Sequence, residues 1–244
     1  MEQDDPATAS PRVLATGRVA RLVERGLIVS CQAREGEALR SPTIQAAMAE
    51  AAVSGGACAI RANGPADIAA IKGRVTVPVF GILKRNYDGS PVYITPTIAE
   101  ARAVAAAGSD VVTVDATAQA RPDGLRLAGF YDQLSALQLP LMADVSTADE
   151  GRLAADLGFD FVATTLAGYT KYSRQLDGPD LRLVEELAMA TSVPVIAEGR
   201  IATPQQARQA LDAGAWAVVV GSMITRPGHI TAYFVSGMRA EPSR

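Results

Sequence analysis

Short apolar runs recur between residues 27 and 220 of the chain. They are nearly continuous in Val, Ile, Leu and Ala instead of alternating with polar residues, which is typical of strands buried on both faces of a parallel sheet. Eight runs are predicted strands: residues 27–31, 57–60, 77–83, 110–114, 139–143, 159–163, 193–197 and 216–220.

Alanine-rich segments with helical spacing separate these runs. The predicted helices are residues 43–54, 66–72, 98–107, 125–137, 148–157, 181–190 and 205–213. A further short helix at 14–25 is expected to cover the bottom of the sheet. Thr203 and Pro204 are predicted to start the helix at 205–213 as N-cap and first-turn proline, and Gly214 to end it.

A weak internal repeat supports the count of strands. VPVFGI, LPLMAD and VPVIAE form the third, fifth and seventh, whereas the even-numbered strands follow a glycine that ends a helix. Eight strand–helix units predict an α/β fold with a single (β/α)₈ TIM barrel. An open doubly wound sheet is the alternative, but no G-x-G-x-x-G follows the first strand. Residues 1–11 are predicted to be a disordered tail and 12–244 one barrel domain.

Composition narrows the class of protein. The 244-residue chain is 48% hydrophobic and has a formal net charge of −3, which argues against a nucleic-acid or membrane-binding surface. Two cysteines, Cys31 and Cys58, fit buried thiols of an intracellular protein better than a disulfide framework. The first residues are polar and acidic, unlike a signal peptide, and no apolar run is long enough to span a membrane. A cytoplasmic location is expected.

The histidine count removes several kinds of chemistry. His229 is the one histidine of the chain, so Ser-His-Asp and multi-histidine metal sites are excluded. His229 itself is predicted to be structural or to lie at the rim of the site. Proton transfer must therefore use Lys, Asp, Glu or a group of the substrate.

Polar residues stand where the predicted strands end. In a barrel, these carboxyl ends form the active-site face. The residues at the eight ends are Gln32, Arg61, Lys84, Asp115, Asp144, Thr165, Glu198 and Ser222. Any one of them could be a solvated loop residue, and this is the interpretation adopted for Thr165, but as a set they indicate a functional ring.

Lys84 closes an otherwise apolar strand. It is either a rim residue or a base or Schiff-base amine, and burial together with Arg61 would lower its pKa. Glu198 is a candidate general acid/base. Asp144 lies at the same distance from the proline of its strand as Glu198 does from its own, so both carboxyl groups should point into the same mouth of the barrel. Asp115, Asp144 and Glu198 could instead bind a divalent metal, but nearby cations argue against it.

Glycines and an arginine indicate a phosphate site. Gly199 and Gly221-Ser222 follow neighbouring strands, where backbone N–H groups could hold an anion. Arg226 lies just beyond and is predicted to clamp the phosphate; the alternative is a solvent-facing residue at a helix start.

Nine segments together resemble the N-acetylmannosamine-6-phosphate 2-epimerase family. They are GLIVSCQA (26–33), AIRANG (59–64), GILKRNY (81–87), VYITPT (92–97), RPDG (121–124), MADVST (142–147), TTLAGYT (164–170), VIAEGRI (195–201) and GSMITRP (221–227). The match runs in order from about Gly26 to Pro227. The resemblance implies a TIM barrel that interconverts N-acetylmannosamine-6-phosphate and N-acetylglucosamine-6-phosphate.

The resemblance also implies roles for individual residues. Lys84 would be the catalytic base, with Glu198 assisting as acid or orienter. The sugar would be contacted by Gln32, Arg61 and Asp144, and the phosphate held by Arg226 with the backbone of Gly199, Gly221 and Ser222. No metal or other cofactor is implied. One departure is the 116–120 loop, ATAQA, where the family usually carries basic residues, so any substrate contact from this loop is in doubt.

Two other functions remain open from the residues alone. One is a Schiff-base aldolase that uses Lys84 on the same phosphate-binding barrel, and the other is a non-catalytic sugar-phosphate sensor. The partner in every case is a phosphorylated small molecule. Tyr233, Phe234 and Val235 near the carboxyl end are apolar and permit a homodimer.

Overall fold

The chain forms a closed barrel of eight parallel strands in sequence order, with β8 paired to β1. This confirms the predicted (β/α)₈ TIM barrel. The structure is a computed structural model that describes residues 10–239. The strands are β1 (Leu27–Cys31), β2 (Ala59–Asn63), β3 (Val79–Ile82), β4 (Val111–Asp115), β5 (Leu141–Asp144), β6 (Phe161–Ala163), β7 (Val195–Glu198) and β8 (Ala217–Val220).

Helices follow the strands around the outside of the barrel, and one precedes β1. They are α1 (Pro11–Val23), α2 (Pro42–Ser54), α3 (Pro65–Lys72), α4 (Ile98–Ala106), α5 (Leu127–Ser135), α6 (Ala148–Leu157), α7 (Leu181–Ala190), α8 (Pro204–Asp212), α9 (Ser222–Thr225) and α10 (Pro227–Arg239). The predicted N-cap of α8 is confirmed, because Thr203 Oγ1 accepts the N–H of Gln206 at 3.2 Å. Gly214 follows α8 with φ +100°, a conformation suited to glycine.

Several strands begin two residues later than predicted. Pro78, Pro140 and Pro194 stand just outside β3, β5 and β7, because proline has no N–H to donate to the ladder. Their carbonyls still accept from the preceding strand, as in the 2.9 Å bond from Ile60 N–H to Pro78 O.

The second strand differs most from its prediction of 57–60. It runs from Ala59 to Asn63, so Arg61 lies in the middle of a strand and not at its end. Apolar continuity stops at Ile60 in the sequence, but the charge of Arg61 is compensated inside the barrel, so the strand continues past it.

The barrel interior is apolar at its lower end. Ile28, Ala59 and Ala217, at or near the starts of their strands, pack in one cluster with Val19 and Val23 of α1. Trp216 Nε1 donates to Ala20 O at 2.8 Å and fixes this helix to β8, and Arg12 forms an ion pair with Asp160 at 2.6 Å. As predicted, α1 closes the bottom of the barrel.

Within residues 10–239, no helix is both long and apolar enough to cross a bilayer. The predicted disordered tail lies outside the described residues except for its last two positions, of which Pro11 begins α1. The cytoplasmic location expected from the sequence stays a prediction.

Candidate active site

Alternate residues of each strand point into the barrel; these inward-facing side chains are apolar in the lower part and polar at the open end. Side chains two positions apart on a strand share a face. Ala59 and Ile196 line the interior, and each is followed two residues later by a charged group, Arg61 and Glu198. The same spacing relates Met142 to Asp144, Val111 and Thr113 to Asp115, and Phe80 and Ile82 to Lys84. The sequence therefore builds an inward-facing polar layer above an inward-facing apolar one.

Arg61 is the centre of this layer. Its side chain is 1% exposed and donates to both Asp144 oxygens, through Nη2 at 2.5 Å and Nη1 at 3.2 Å. Nη1 also contacts the Glu198 carboxylate across the barrel. Burial alone would lower the pKa of Arg61, but the two carboxylates outweigh it and raise this pKa. Arg61 is therefore permanently charged and joins β2 to β5 and β7.

Thr165 belongs to the same network, so its interpretation as a solvated loop residue is wrong. Its hydroxyl donates to Asp144 Oδ1 at 2.6 Å and receives a bond from Arg61 Nη1 at 3.1 Å. A polar residue just after a strand is ambiguous in sequence. Here Ala163, two residues earlier, lies in the inner cluster. Because side chains two positions apart share a face, Thr165 also points inward.

Glu198 occupies the end of β7 and is held by Thr164, the residue that directly follows β6. The Thr164 hydroxyl donates to Glu198 O at 2.9 Å and accepts the Glu198 N–H at 3.0 Å. Burial raises the pKa of the Glu198 carboxyl; Arg61 opposes this effect and the neighbouring Asp144 adds to it. The net direction is upward, so Glu198 retains a proton more readily than an ordinary glutamate.

Lys84 follows β3 and stands at the mouth. The residue is exposed to solvent, but protein atoms around the amine reduce its contact with water. This desolvation is the larger cause, and the charge of Arg61 the second, of a Lys84 pKa lowered to about 8. Glu198 and Asp144 act in the opposite direction, so these charges are close enough to influence the amine. The direction is the one expected from the sequence, but the residue is exposed at the mouth and not buried as that expectation assumed.

Two further residues near Lys84 were not singled out from the sequence. Asn63 Oδ1, at the end of β2, accepts the Lys84 N–H at 2.8 Å. Tyr93 packs beside Ile82 and Ile94, and burial together with the Asp144 charge raises its pKa to about 12. Asn63 was hidden because the predicted second strand ended before it.

Asp115 is fully buried beside Asp144 in the ladder of β4 and β5. Its Oδ1 accepts the N–H and hydroxyl of Thr117 at 2.9 and 2.7 Å, while Oδ2 has no partner among residues 10–239. Desolvation raises its pKa to about 6. No group of three histidine, cysteine or acidic side chains in the described chain is arranged to hold a metal ion.

The 116–120 loop is held by its backbone. Ala118 N–H donates to Glu150 Oε1 at 2.8 Å, and Ser90 Oγ donates to Ala120 O at 2.8 Å. Arg121 turns into the protein, where it stacks 4.1 Å from the Phe130 ring centroid. Arg121, the first basic residue after this loop, therefore faces the core.

The residues predicted to hold phosphate lie at the ends of β7 and β8. Gly199 has φ +113°, and a Cβ on Gly221 would stand 3.1 Å from Ser30 Cβ. Ser222 starts α9. Both glycines thus occupy places where a side chain would be strained or crowded.

Arg226 lies at one side of a cleft of about 510 Å³ between the β1–α2 loop and the start of α10. It forms an ion pair with Glu37, and Gln32 lines the same cleft. Gln32 Nε2 donates to Ser30 Oγ at 2.8 Å, and its Oε1 is unpartnered within the described residues. His229 is exposed at the rim of this cleft.

The chain is similar to known proteins over most of its length. Residues 45–240 match the family model described as "Putative N-acetylmannosamine-6-phosphate epimerase". Relatives named "Putative N-acetylmannosamine-6-phosphate 2-epimerase" include one from Caldanaerobacter subterraneus subsp. tengcongensis, 53% identical over 89% of this chain and 93% of its own length. Another, from Cutibacterium acnes, is 49% identical over 92% of this chain and 98% of its own.

Solved structures agree. The N-acetylmannosamine-6-phosphate 2-epimerase from Clostridium perfringens superposes with a TM-score of 0.87 at 46% identity, covering 89% of this chain and 95% of that one. Thiamine phosphate pyrophosphorylase from Pyrococcus furiosus is 17% identical with a TM-score of 0.57, over 91% and 100% of the two chains, and supports the fold alone. From the match over most of its length, the chain belongs to the N-acetylmannosamine-6-phosphate epimerase family.

Proposed function

We propose that the protein interconverts N-acetylmannosamine-6-phosphate and N-acetylglucosamine-6-phosphate by removing and returning the proton at C2. The observation that carries the proposal is the placement of Lys84 and Glu198 at one mouth, beside Arg61 and close enough for the charge of each to act on the other. The lowered pKa of Lys84 favours a free amine that accepts a proton, and Glu198 beside it assists as acid or orienter. Membership of the family supports the same substrate pair.

The chemistry starts from the open-chain sugar. There the C2 hydrogen is α to the aldehyde, whereas in the closed ring it is not acidic. The Lys84 amine takes the C2 proton, and the electrons of the C–H bond move into the carbonyl to give an enolate. A proton returned to the opposite face of C2 restores the aldehyde with inverted configuration. In this scheme Lys84 is the base, and Glu198 donates the proton or orients the intermediate.

Arg61 and Asp144 form a rigid floor for the sugar. Because their charges are paired inside the barrel, neither is free to exchange a proton with the substrate in the way that Lys84 can. Arg61 Nε has no partner within residues 10–239 and leaves one donor for an oxygen of the substrate. Gln32 Oε1, equally unpartnered there, offers an acceptor for a sugar hydroxyl or the acetamido N–H.

The phosphate would bind at the ends of β7 and β8. The backbone N–H groups after Gly199 and Gly221, with Ser222, would line one side, and Arg226 would supply the cation. For this, the Arg226 side chain must exchange Glu37 for phosphate. Binding energy from the phosphate, remote from C2, then holds the reacting carbon near the amine.

Proton NMR of the purified protein with N-acetylmannosamine-6-phosphate in deuterated water tests the proposal. The expected result is the appearance of the second epimer together with loss of the C2 proton signal from both, because the abstracted proton exchanges with solvent. Epimer formation with no solvent deuterium at C2 in either sugar would contradict transfer through an exchanging amine. Absence of both turnover and exchange would refute the activity.

The lowered pKa of Lys84 also suits a Schiff-base amine, so an aldolase is the second candidate. Borohydride added to the same mixture separates the two functions. Mass increase on the peptide containing Lys84 would favour the aldolase, and solvent exchange at C2 without a trapped adduct would favour the epimerase. Saturable binding with neither result would indicate a sensor.

We also propose a cytoplasmic homodimer, whose contact surface includes α10. Among the described side chains of α10 none is buried, and Tyr233 and Phe234 are 56% and 63% exposed. On the outside of the barrel, Leu27, Met48 and Ile224 line an open groove of about 370 Å³. A two-fold related copy would cover an apolar helix and an apolar groove that one chain leaves open to water.

A further inference from the structure

The segment VYITPT (92–97) carries part of the family resemblance, yet the proposed chemistry gives it no role. In the structure it folds back along the residues that follow β3. Lys84 and Ile94 form an antiparallel bridge, and Arg85 N–H donates to Tyr93 O at 2.9 Å. The backbone of Lys84 is therefore part of a two-stranded turn over the mouth.

Thr95 closes this turn with two hydrogen bonds to one residue. Its N–H donates to Leu83 O at 2.9 Å, and its Oγ1 accepts the Leu83 N–H at 3.1 Å. Leu83 directly precedes Lys84. The Lys84 N–H itself is held by Asn63 Oδ1, so every backbone donor from Leu83 to Arg85 has a partner.

The backbone of Thr95 is strained. Its φ is +46°, in the left-handed region that β-branched residues rarely adopt, and its side chain is fully buried. Such a conformation is unfavourable and persists only where surrounding contacts enforce it. The neighbours of Thr95 do so, because Asp115 N–H donates to Ile94 O at 2.9 Å and Arg121 Nη1 donates to Pro96 O at 3.2 Å.

We propose that Thr95 is a positioning residue for Lys84, whose strained backbone and hydroxyl fix Leu83 and thereby the point from which the lysine side chain enters the mouth. The inference rests on the proposed function, in which Lys84 is the base. Thr95→Ser keeps the hydroxyl and should keep Lys84 in position. Thr95→Ala and Thr95→Gly lack the hydroxyl and should not. Glycine also removes the strain, since it adopts positive φ without penalty.

The experiment compares Thr95→Ser, Thr95→Ala and Thr95→Gly in the full chain, with Thr191→Ala as a matched control. Thr191 follows α7, and its hydroxyl donates to Leu187 O. The Ala and Gly variants should lose about 10- to 100-fold in kcat with KM changed less than about threefold, as expected when geometry at the reacting atoms is disturbed. Serine and the Thr191 control should stay within about threefold of the parent in both.

A second measurement does not depend on turnover. The chain has three lysines, Lys72, Lys84 and Lys171, so reductive ¹³C-methylation gives few signals, and each can be assigned by substitution. Titration should show the Lys84 signal moving toward an ordinary lysine pKa in Thr95→Ala and Thr95→Gly, and unchanged in Thr95→Ser. If Thr95→Ala does not fold, Thr95→Gly decides.

Folded Ala and Gly variants with parental kcat and an unmoved Lys84 titration would overturn the inference, as would a serine variant as impaired as alanine. A parent protein that shows no exchange at C2 would refute the proposed function instead. The titration then still reports whether Thr95 places the amine.

Discussion

Arg61 and Asp144 form a two-point ion pair in the barrel interior, with the guanidinium donating to the carboxylate at 2.5 and 3.2 Å. Both side chains are at most 1% exposed. Because either charge would be costly to bury alone, the pair is a structural as well as a chemical element of the site.

Breaking this pair should destabilise the protein. Asp144→Asn leaves Arg61 with Glu198 as its remaining charged partner, and we expect a loss of about 3–5 kcal/mol in the free energy of unfolding. Chemical denaturation followed by circular dichroism measures it. Asp212→Asn, which breaks the exposed pair of Asp212 with Arg208, is the control and should cost less than about 1 kcal/mol. Equal stability of the two variants would contradict the argument.

Removing the proposed base or acid should affect turnover more than folding. Lys84→Ala and Glu198→Gln should each lower kcat by about 10²- to 10⁴-fold, the range typical of general acid–base groups. Lys72→Ala is the control for lysine removal, since Lys72 pairs with Asp110 at the end of α3, away from the mouth. A coupled assay with melting temperatures distinguishes the two effects. Retention of parental kcat by Lys84→Ala would refute its role.

The rate should depend on pH through Lys84. Only the neutral amine accepts the C2 proton, and its fraction falls about tenfold for each pH unit below the pKa. Since this pKa is about 8, kcat/KM should rise steeply between pH 6 and 8 and then level off. The profile is measured with progress curves in constant-ionic-strength buffers. A flat profile over pH 6–8 is the result that contradicts a lysine base.

The ion pair of Arg226 with Glu37 gives a test of the phosphate site. Arg226→Ala should raise KM about 10- to 100-fold with little change in kcat. This rise corresponds to the loss of one hydrogen bond to a charged group, about 1.5–3 kcal/mol. Glu37→Gln removes the carboxylate that competes with phosphate, so its KM should not rise. Steady-state kinetics check both. If Arg226→Ala leaves KM and kcat unchanged, Arg226 does not bind the phosphate.

The dimer can be tested on α10. The parent should show twice the 25.4 kDa chain mass in light scattering after size-exclusion chromatography, and Phe234→Glu should shift it toward one chain. Met189→Glu is the control, because Met189 on α7 is also exposed, at 83%. A single-chain mass for the parent would refute the dimer.

Most of the fold could be predicted because parallel strands buried on both faces leave a plain apolar signal. Eight runs, separated by seven helical segments, allow few arrangements other than a closed barrel. Boundaries were harder to place. Pro78 and Pro194 belong to the apolar runs in sequence but stand outside the hydrogen-bonded ladder, so strands were predicted to start too early.

The site could be predicted in part. Lys84 and Glu198 end their apolar runs and were visible, whereas Thr165 and Asn63 were not, because a neutral polar residue beside a strand end has no distinctive spacing. In the sequence, Thr95 stands out only as one residue of the VYITPT segment (92–97). Its positive φ is enforced by its own hydrogen bonds to Leu83 and by the bonds that Asp115 and Arg121 donate to the carbonyls on either side of it, none of which a local sequence pattern shows.

The seal that α1 makes under the barrel has a practical consequence. The helix and its first described residue, Ser10, lie at the end of the barrel opposite to Lys84 and Glu198. Coupling of the protein to a solid support at position 10 would thus leave the opening that holds Lys84 and Glu198 facing the bulk liquid, with diffusion of sugar unobstructed.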